Sequence, residues 1–239
     1  MCPAKIVKPE FDISLDQNAS IDPIFHSESV AVIKEVSQQT GELAEPSIFE
    51  ASTDHSRKAA ALESLFSVLS ASSNEQVSFE SMLTKIITAL VEHIPCEAAS
   101  FAEIDFSSDE IFFRAATGRV AEKLREFRIP RTQGLVGFAC ENQQILSVAN
   151  ADESAIHLKT VSNALGFDVE NVLVAPVIIR GQTFGAIELI NRRGIPQVTE
   201  SDKDLLSAVI QVASLAIETR LLIVYYQKKL AAISVKEAA

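Results

Sequence analysis

"NVLVAPVIIRGQTFGAIELINR" runs from Asn171 to Arg192. Two apolar runs flank Arg180-Gly181, a two-residue break of the kind that closes a β-hairpin. A strand with one wet face alternates apolar and polar residues. This hairpin does not. Val172, Val174 and Ile178 fall on one face of the first strand, and Leu173, Ala175, Val177 and Ile179 on the other. In the second strand Phe184, Ala186, Glu188 and Ile190 share a face, opposite Gly185, Ile187 and Leu189. Both faces of the sheet therefore need a cover. Glu188 stands among these apolar neighbours. Buried and unpaired, a carboxylate costs several kcal/mol. It is expected to lie near a rim, to pair with a basic neighbour such as Arg114, or to meet a ligand.

The material for the two covers lies on either side of the hairpin. "SRKAAALESLFSVLSAS" carries Leu62, Leu65, Phe66 and Leu69 at amphipathic spacing, predicting a helix over Ser56–Ser72. "SNEQVSFESMLTKIITALVEHIP" predicts a second, capped by Ser78 and closed by Pro95. From Asp202 to Val235 the chain has no Gly and no Pro, which predicts one long helix. One of its apolar stripes includes Leu205, Val209, Val212, Ala216, Ile223 and Tyr226; a second runs through Leu206, Ile210, Ala213 and Ile217. One stripe suffices to cover a sheet, and the other is left for a partner helix. The segments "EAASFAEIDF" and "EIFFRAATG" read as strands joined at Ser107-Ser108-Asp109. "RVAEKLREF" reads as a short helix and "ILSVAN" as a short strand.

The order is helix, helix, strand, strand, a long irregular middle, strand, strand, helix. It predicts an α+β fold: an antiparallel sheet with the terminal helices packed on one face. The irregular middle, Pro130 to Phe167, is left to roof the other face. Loop-rich roofs over apolar sheets commonly enclose small-molecule cavities. Residues 1–56 read as a separate, mostly disordered segment. Between Met1 and Ala60 ten acidic residues stand against five basic ones, and prolines occupy positions 3, 9, 23 and 46. Within it, "SESVAVIKEVSQQ" brings Val30, Ile33 and Val36 near one helical face. Residues 57–226 are then the folded domain, and 227–239 the end of the last helix and a tail.

Composition excludes several functions. A formal net charge of −11, no Trp and only two Tyr leave neither a basic face nor an aromatic platform for nucleic acid. Cys2, Cys96 and Cys140 are widely spaced and the four histidines scattered, so no metal site is signalled. No uninterrupted apolar run reaches the ~20 residues of a membrane span. The N-terminus lacks the apolar core of a signal peptide. The expected compartment is the cytoplasm.

Motifs in the middle carry a resemblance. The chain has Gly-x-x-Gly at Gly134 and Gly137, an Asp at Asp152, and Gly-Phe at Gly166-Phe167. A Pro-bearing strand at Pro176 and Gly-x-x-Glu-Leu-Ile-Asn over Gly185–Asn191 follow. In this order they resemble the GAF modules of cyclic-nucleotide phosphodiesterases and of bacterial sensory regulators, over roughly Lys58 to Tyr226. The resemblance implies a pocket between sheet and cover, with candidate contacts Gly134, Val136, Gly137, Asp152, Leu165, Val174 and Glu188. A cyclic nucleotide is one implied ligand, another small molecule a second, and a pocket filled by its own side chains the third. The departures weigh against the first. Leu165 stands where the family favours a hydroxyl-bearing Thr. In the family's Asn-Lys-Phe-Asp-Glu signature Asn191 and Asp202 match, but Arg192, Val198 and Lys203 replace the Lys, Phe and Glu.

Two enzymatic or cofactor-bearing branches of the family fit less well. Reduction of free methionine sulfoxide needs an activated thiolate and a resolving thiol, and Cys96 and Cys140 read instead as buried, inert thiols. Haem or bilin binding rests on His157 alone, which reads as a solvated loop residue. No catalytic residue or cofactor is therefore assigned. The expected function is regulatory: a homodimer through Leu62, Leu65, Leu69, Val212, Ala216, Ile223 and Tyr226, signalling to a separate effector protein. A ligand-free scaffold with the same dimer is the alternative.

Overall fold

The computed structural model describes residues 48–72, 77–151, 159–195 and 197–237. Six strands form one sheet: β1 (Cys96–Asp105), β2 (Glu110–Thr117), β3 (Arg128–Pro130), β4 (Leu146–Val148), β5 (Val172–Ile179) and β6 (Gln182–Arg192). Their spatial order is β3-β2-β1-β6-β5-β4, and every neighbouring pair is antiparallel. The hairpin turns at Arg180 and Gly181, both with positive φ (50° and 77°), the geometry of a two-residue turn matched to strand twist. β6 pairs with both β5 and β1, which puts Glu188 between Val174 and Ser100.

The helices are α1 (Ile48–Ser72), α2 (Phe79–His93), α3 (Ala121–Leu124), α4 (Gly134–Asn142), α5 (Lys159–Leu165) and α6 (Glu200–Glu237). Each sheet face has its own apolar cluster. On one, Leu65, Leu83, Ile86 and Leu90 from α1 and α2, and Leu206 and Ala213 from α6, meet Phe101, Leu173, Ala175 and Ile187. On the other, Leu124, Ile129, Leu135, Val136, Leu165 and Phe167 meet Ala98, Ala102, Val172, Val174 and Ala186. Burying each such Leu, Ile or Phe fully contributes about 1.5–3 kcal/mol. The expected α+β layering is the one found: helices seal one face, and the irregular middle roofs the other.

Local chemistry fixes the helix ends. The Ser78 hydroxyl accepts from the Ser81 amide at 3.1 Å, capping α2 as expected. At the start of α6 the Asp202 amide donates to Thr199 Oγ1, and the Asp202 carboxylate accepts from the Thr199 amide, each at 3.1 Å. This reciprocal pair is a capping box. The same carboxylate accepts from Arg57 on α1 at 2.5 Å and from Arg192 at the end of β6 at 3.0 Å. Burial pushes the Asp202 carboxyl up, but Arg192 and the Thr199 amide hold it below the usual aspartate value.

Four expectations need correction. α1 begins at Ile48, eight residues before the expected helix start at Ser56. The Val30–Val36 stripe and Cys2 lie outside the described residues. No strand is expected over Arg128–Pro130; β3 there is a three-residue edge strand paired to β2. Phe184 is an extra residue in β6, where Val177 pairs with Gly185 but Ile178 with Thr183. This bulge reverses the alternation. Phe184 therefore packs on the helix side, 6.2 Å from both Phe79 and Phe101, not beside Ala186. Finally, Glu200–Leu230 in α6 is, among the described residues, the one stretch long and apolar enough to cross a membrane by length and composition. Counting only uninterrupted apolar runs overlooked it. Its first half owes that apolarity to the sheet it covers, through Leu205, Leu206, Val209, Ile210, Ala213 and Ile217.

Candidate functional site

A hollow of about 80 Å³ lies between the sheet and the roof. Ala98 and Ser100 of β1, Phe113 of β2, and Glu188 and Ile190 of β6 form its floor. Leu135 and Val136 of α4, Leu165 of α5 and Phe167 close it from above. Glu188 reaches the hollow because its register position puts it on the roofed face, beside Ala186 and Ile190. Its carboxylate accepts a hydrogen bond from the Ser100 hydroxyl at 3.2 Å. Burial pushes the Glu188 carboxyl up to about 7; the Ser100 bond offsets this only in part. The expected partner, Arg114, is engaged elsewhere. It donates twice to Glu103, at 2.5 and 2.9 Å. The reason is a second bulge: Phe101 pairs with Ala115 and Ala102 with Phe113, leaving Arg114 extra and turned toward the Phe79 ring.

The roof is tied down at both ends. The Thr183 hydroxyl donates to the Cys140 carbonyl at 2.9 Å, and Gln143 donates to Gly181, holding α4 to the hairpin. The Asn191 amide group donates to the Asp168 carbonyl and accepts from the Glu170 amide, both at 2.8 Å. It thereby pins the segment after α5 to β6. Arg119 donates to the Gly166 carbonyl at 2.9 Å and lies 5.0 Å over the Phe167 ring. The two glycines of the Gly-x-x-Gly motif serve backbone geometry. Gly134 has φ 74°. A Cβ at Gly137 would sit 2.6 Å from the Arg131 carbonyl oxygen.

The structure sorts the sequence candidates. Gly134, Val136, Leu165 and Glu188 line the hollow together. Gly137 faces the Arg131–Thr132 backbone instead. Val174, beside Glu188 in register, is wholly buried in the roof-side core and is not part of the lining. Asp152 and His157 lie outside the described residues. Sequence reasoning missed Ser100, Thr117, Phe113 and Phe167 as lining. The one available signal was Ser100, a polar residue at a roof-facing position of an otherwise apolar strand.

The helix layer also sorts its candidates. Leu65 is wholly buried within the core and is not available to a partner; the crossing of α1 over α2 covers it. Leu69 and Val212 pack partly against the same core. Leu69, Ala216 and Ile223 line a groove with Leu215, and Tyr226 is half-exposed. Leu62 is partly buried. Phe66 and Leu215, 60% and 65% exposed, are apolar side chains that the interface candidates leave out.

The thiols are buried as expected. Cys96 belongs to the helix-side cluster and Cys140 to the roof-side one, on opposite faces of the sheet. Burial pushes their thiols up to about 11 and about 12. No group of potential metal ligands occurs among the described residues.

The family model for the GAF domain matches residues 78–217, more than half of the chain. The chain belongs to the GAF domain family. Such domains are typically regulatory or sensory. A probable 3',5'-cyclic phosphodiesterase of Caenorhabditis elegans, pde-5, is 25% identical over 138 residues. That match covers 54% of this chain and only 19% of the relative's length. Among solved structures, the GAF domain of an Acinetobacter phosphoenolpyruvate-protein phosphotransferase superposes with a TM-score of 0.57 at 16% identity. It covers 72% of this chain and 96% of that one. A free methionine-R-sulfoxide reductase from Neisseria meningitidis, solved with its substrate, gives 0.55 at 20% identity, covering 68% and 90%. At these identities the structural likeness speaks for the GAF fold alone, which serves regulators and at least one enzyme.

Proposed function

We propose that this GAF domain is a non-enzymatic sensor whose hollow takes a small ligand. The observation that carries this reading is the hollow itself: a partly open, mostly apolar space with one polar end, Glu188 and Ser100. Such a space beneath a pinned roof is the usual form of a small-molecule site. Its volume of about 80 Å³ favours a ligand much smaller than a cyclic nucleotide. An apolar cavity of ~150 Å³ is filled by benzene alone. The buried thiols on opposite sheet faces argue against sulfur redox chemistry. The exposed edge of the helix layer, with Phe66, Leu215 and Tyr226, supports pairing with a second copy through α1 and α6, and signalling to a separate effector through the same helices.

Native mass spectrometry of the purified chain, with melting curves in the presence of cyclic AMP, cyclic GMP and a metabolite panel, tests the reading. A bound small molecule, or a melting rise that a hollow-filling Val136→Phe abolishes, supports it. The small hollow also favours the scaffold alternative. In that case no compound shifts the melt, while the chain still sediments as a dimer.

A further inference from the structure

The hollow contains an acid that forms no ion pair among the described residues. Among the described lining residues Glu188 is the one ionisable side chain. The polar remainder is Ser100, Thr117 and Ser162; α3, β3, α4 and β5 contribute no acid or base. Among the described residues, the arginines of the neighbouring strands and the turn after β2 are engaged elsewhere. Arg119 pairs with Glu97, Arg114 with Glu103 and Arg192 with Asp202. One hydroxyl at 3.2 Å is thus what the described residues offer the carboxylate. A buried carboxylate gains most from a partner that brings both positive charge and N–H donors. The walls suit the same partner. Phe113 and Phe167 line the space, and aromatic faces attract cations.

We propose that the hollow is a site for a small protonated amine, its ammonium against Glu188 and Ser100 and its hydrocarbon body among the apolar walls. This rests on the reading of the hollow as a ligand site, and adds the ligand's charge and size. At about 80 Å³ the hollow holds a ligand of only a few heavy atoms, by comparison with a ~150 Å³ cavity that takes benzene. Anions are rejected, because a second negative group in this space repels Glu188 at low dielectric. Cyclic nucleotides fail on both size and charge.

Three probes of matched shape separate the possibilities: isobutylammonium, isobutanol and isobutyrate. Binding is followed by amide chemical-shift changes in the full chain at pH 8, 7, 6 and 5. The expected result is saturable binding of isobutylammonium, with shifts confined to β1, β6, α4 and α5. The affinity should fall roughly tenfold for each pH unit below about 7, as the carboxylate takes up its proton. Glu188→Gln should weaken the ammonium at least about 30-fold, and isobutanol by far less. Isobutanol or isobutyrate binding as tightly as the ammonium overturns the charge assignment, while the ligand-site reading stands. If none of the three perturbs the roof, both fail. The pH series on the unaltered chain keeps the test decisive whatever the variant's stability.

Discussion

Replacing Glu188 by Gln should make the folded chain more stable at pH 8, although it deletes a charge that resembles a functional feature. The folded carboxyl titrates at about 7, against an ordinary value of 4.5. At about 1.4 kcal/mol per tenfold change in proton affinity, the gap amounts to roughly 3 kcal/mol. The sign follows from proton counting. Below pH 4.5 folded and unfolded chains both hold the proton, and no penalty exists. Between 4.5 and about 7 the folded state keeps a proton that the unfolded state has released, so stability falls as pH rises. Above about 7 the full penalty is in place. Gln keeps the shape, still accepts from Ser100 and does not titrate. The stability difference between variant and parent should therefore grow by about 3 kcal/mol from pH 4 to pH 8. In a domain of this size that is roughly 6–12 °C in melting temperature. Urea denaturation of both proteins at half-unit pH steps measures it, and other titrating groups cancel in the difference. A difference that stays flat across this range refutes the claim that the Glu188 carboxyl is desolvated with only the Ser100 hydroxyl to offset it.

Other expectations follow from neighbouring contacts. Asp202→Asn should cost about 3–5 kcal/mol by urea denaturation at pH 7, since it strands Arg57 and Arg192 and weakens the cap of α6. Because the Asp202 carboxyl is held low when folded, the parent should lose this contribution only in acid, as pH falls below 3.8. Gly137→Ala should destabilise by about 1–3 kcal/mol, as its Cβ meets the Arg131 carbonyl oxygen; an unchanged melting curve would show that the loop before α4 gives way freely. Iodoacetamide at pH 8 should leave Cys96 and Cys140 unmodified in the native chain and alkylate both in urea, read by peptide mass spectrometry. Leu215→Glu should lower the sedimenting mass at a given concentration without lowering the melting temperature of the dissociated chain, since Leu215 is 65% exposed.

The sheet and its two covers were legible because apolar patterning is a local signal. Leu173 and Val174 announce two buried faces by adjacency alone, and Ser78 and Pro95 punctuate α2 without outside help. The misreadings share a different cause. Phe184 and Arg114 changed sides because each strand holds one residue more than its neighbour, and a bulge is a property of a pair of strands. Alternation counted along one chain cannot register it. Arg114 was consequently matched with the wrong carboxylate. β3 was too short to show a period, and Leu65 appeared as available as Leu62 until α1 crossed α2. At the site, the motif glycines were legible as positions but not as roles: Gly137 answers to the backbone opposite it, not to the hollow. Ser100 reaches Glu188 through pairing of strands 88 residues apart, a distance that no local pattern encodes.

The Asp202 carboxylate draws together α1, β6 and α6, and β6 is also the strand that carries Glu188. Linkage between two sites runs equally in both directions. If the proposed sensor binds an effector along the long helix, and that grip shifts this junction so as to change how tightly the hollow holds its ligand, the ligand must change the grip by the same factor. In that case the effector is also a second ligand, and receptor and target each set the other's threshold.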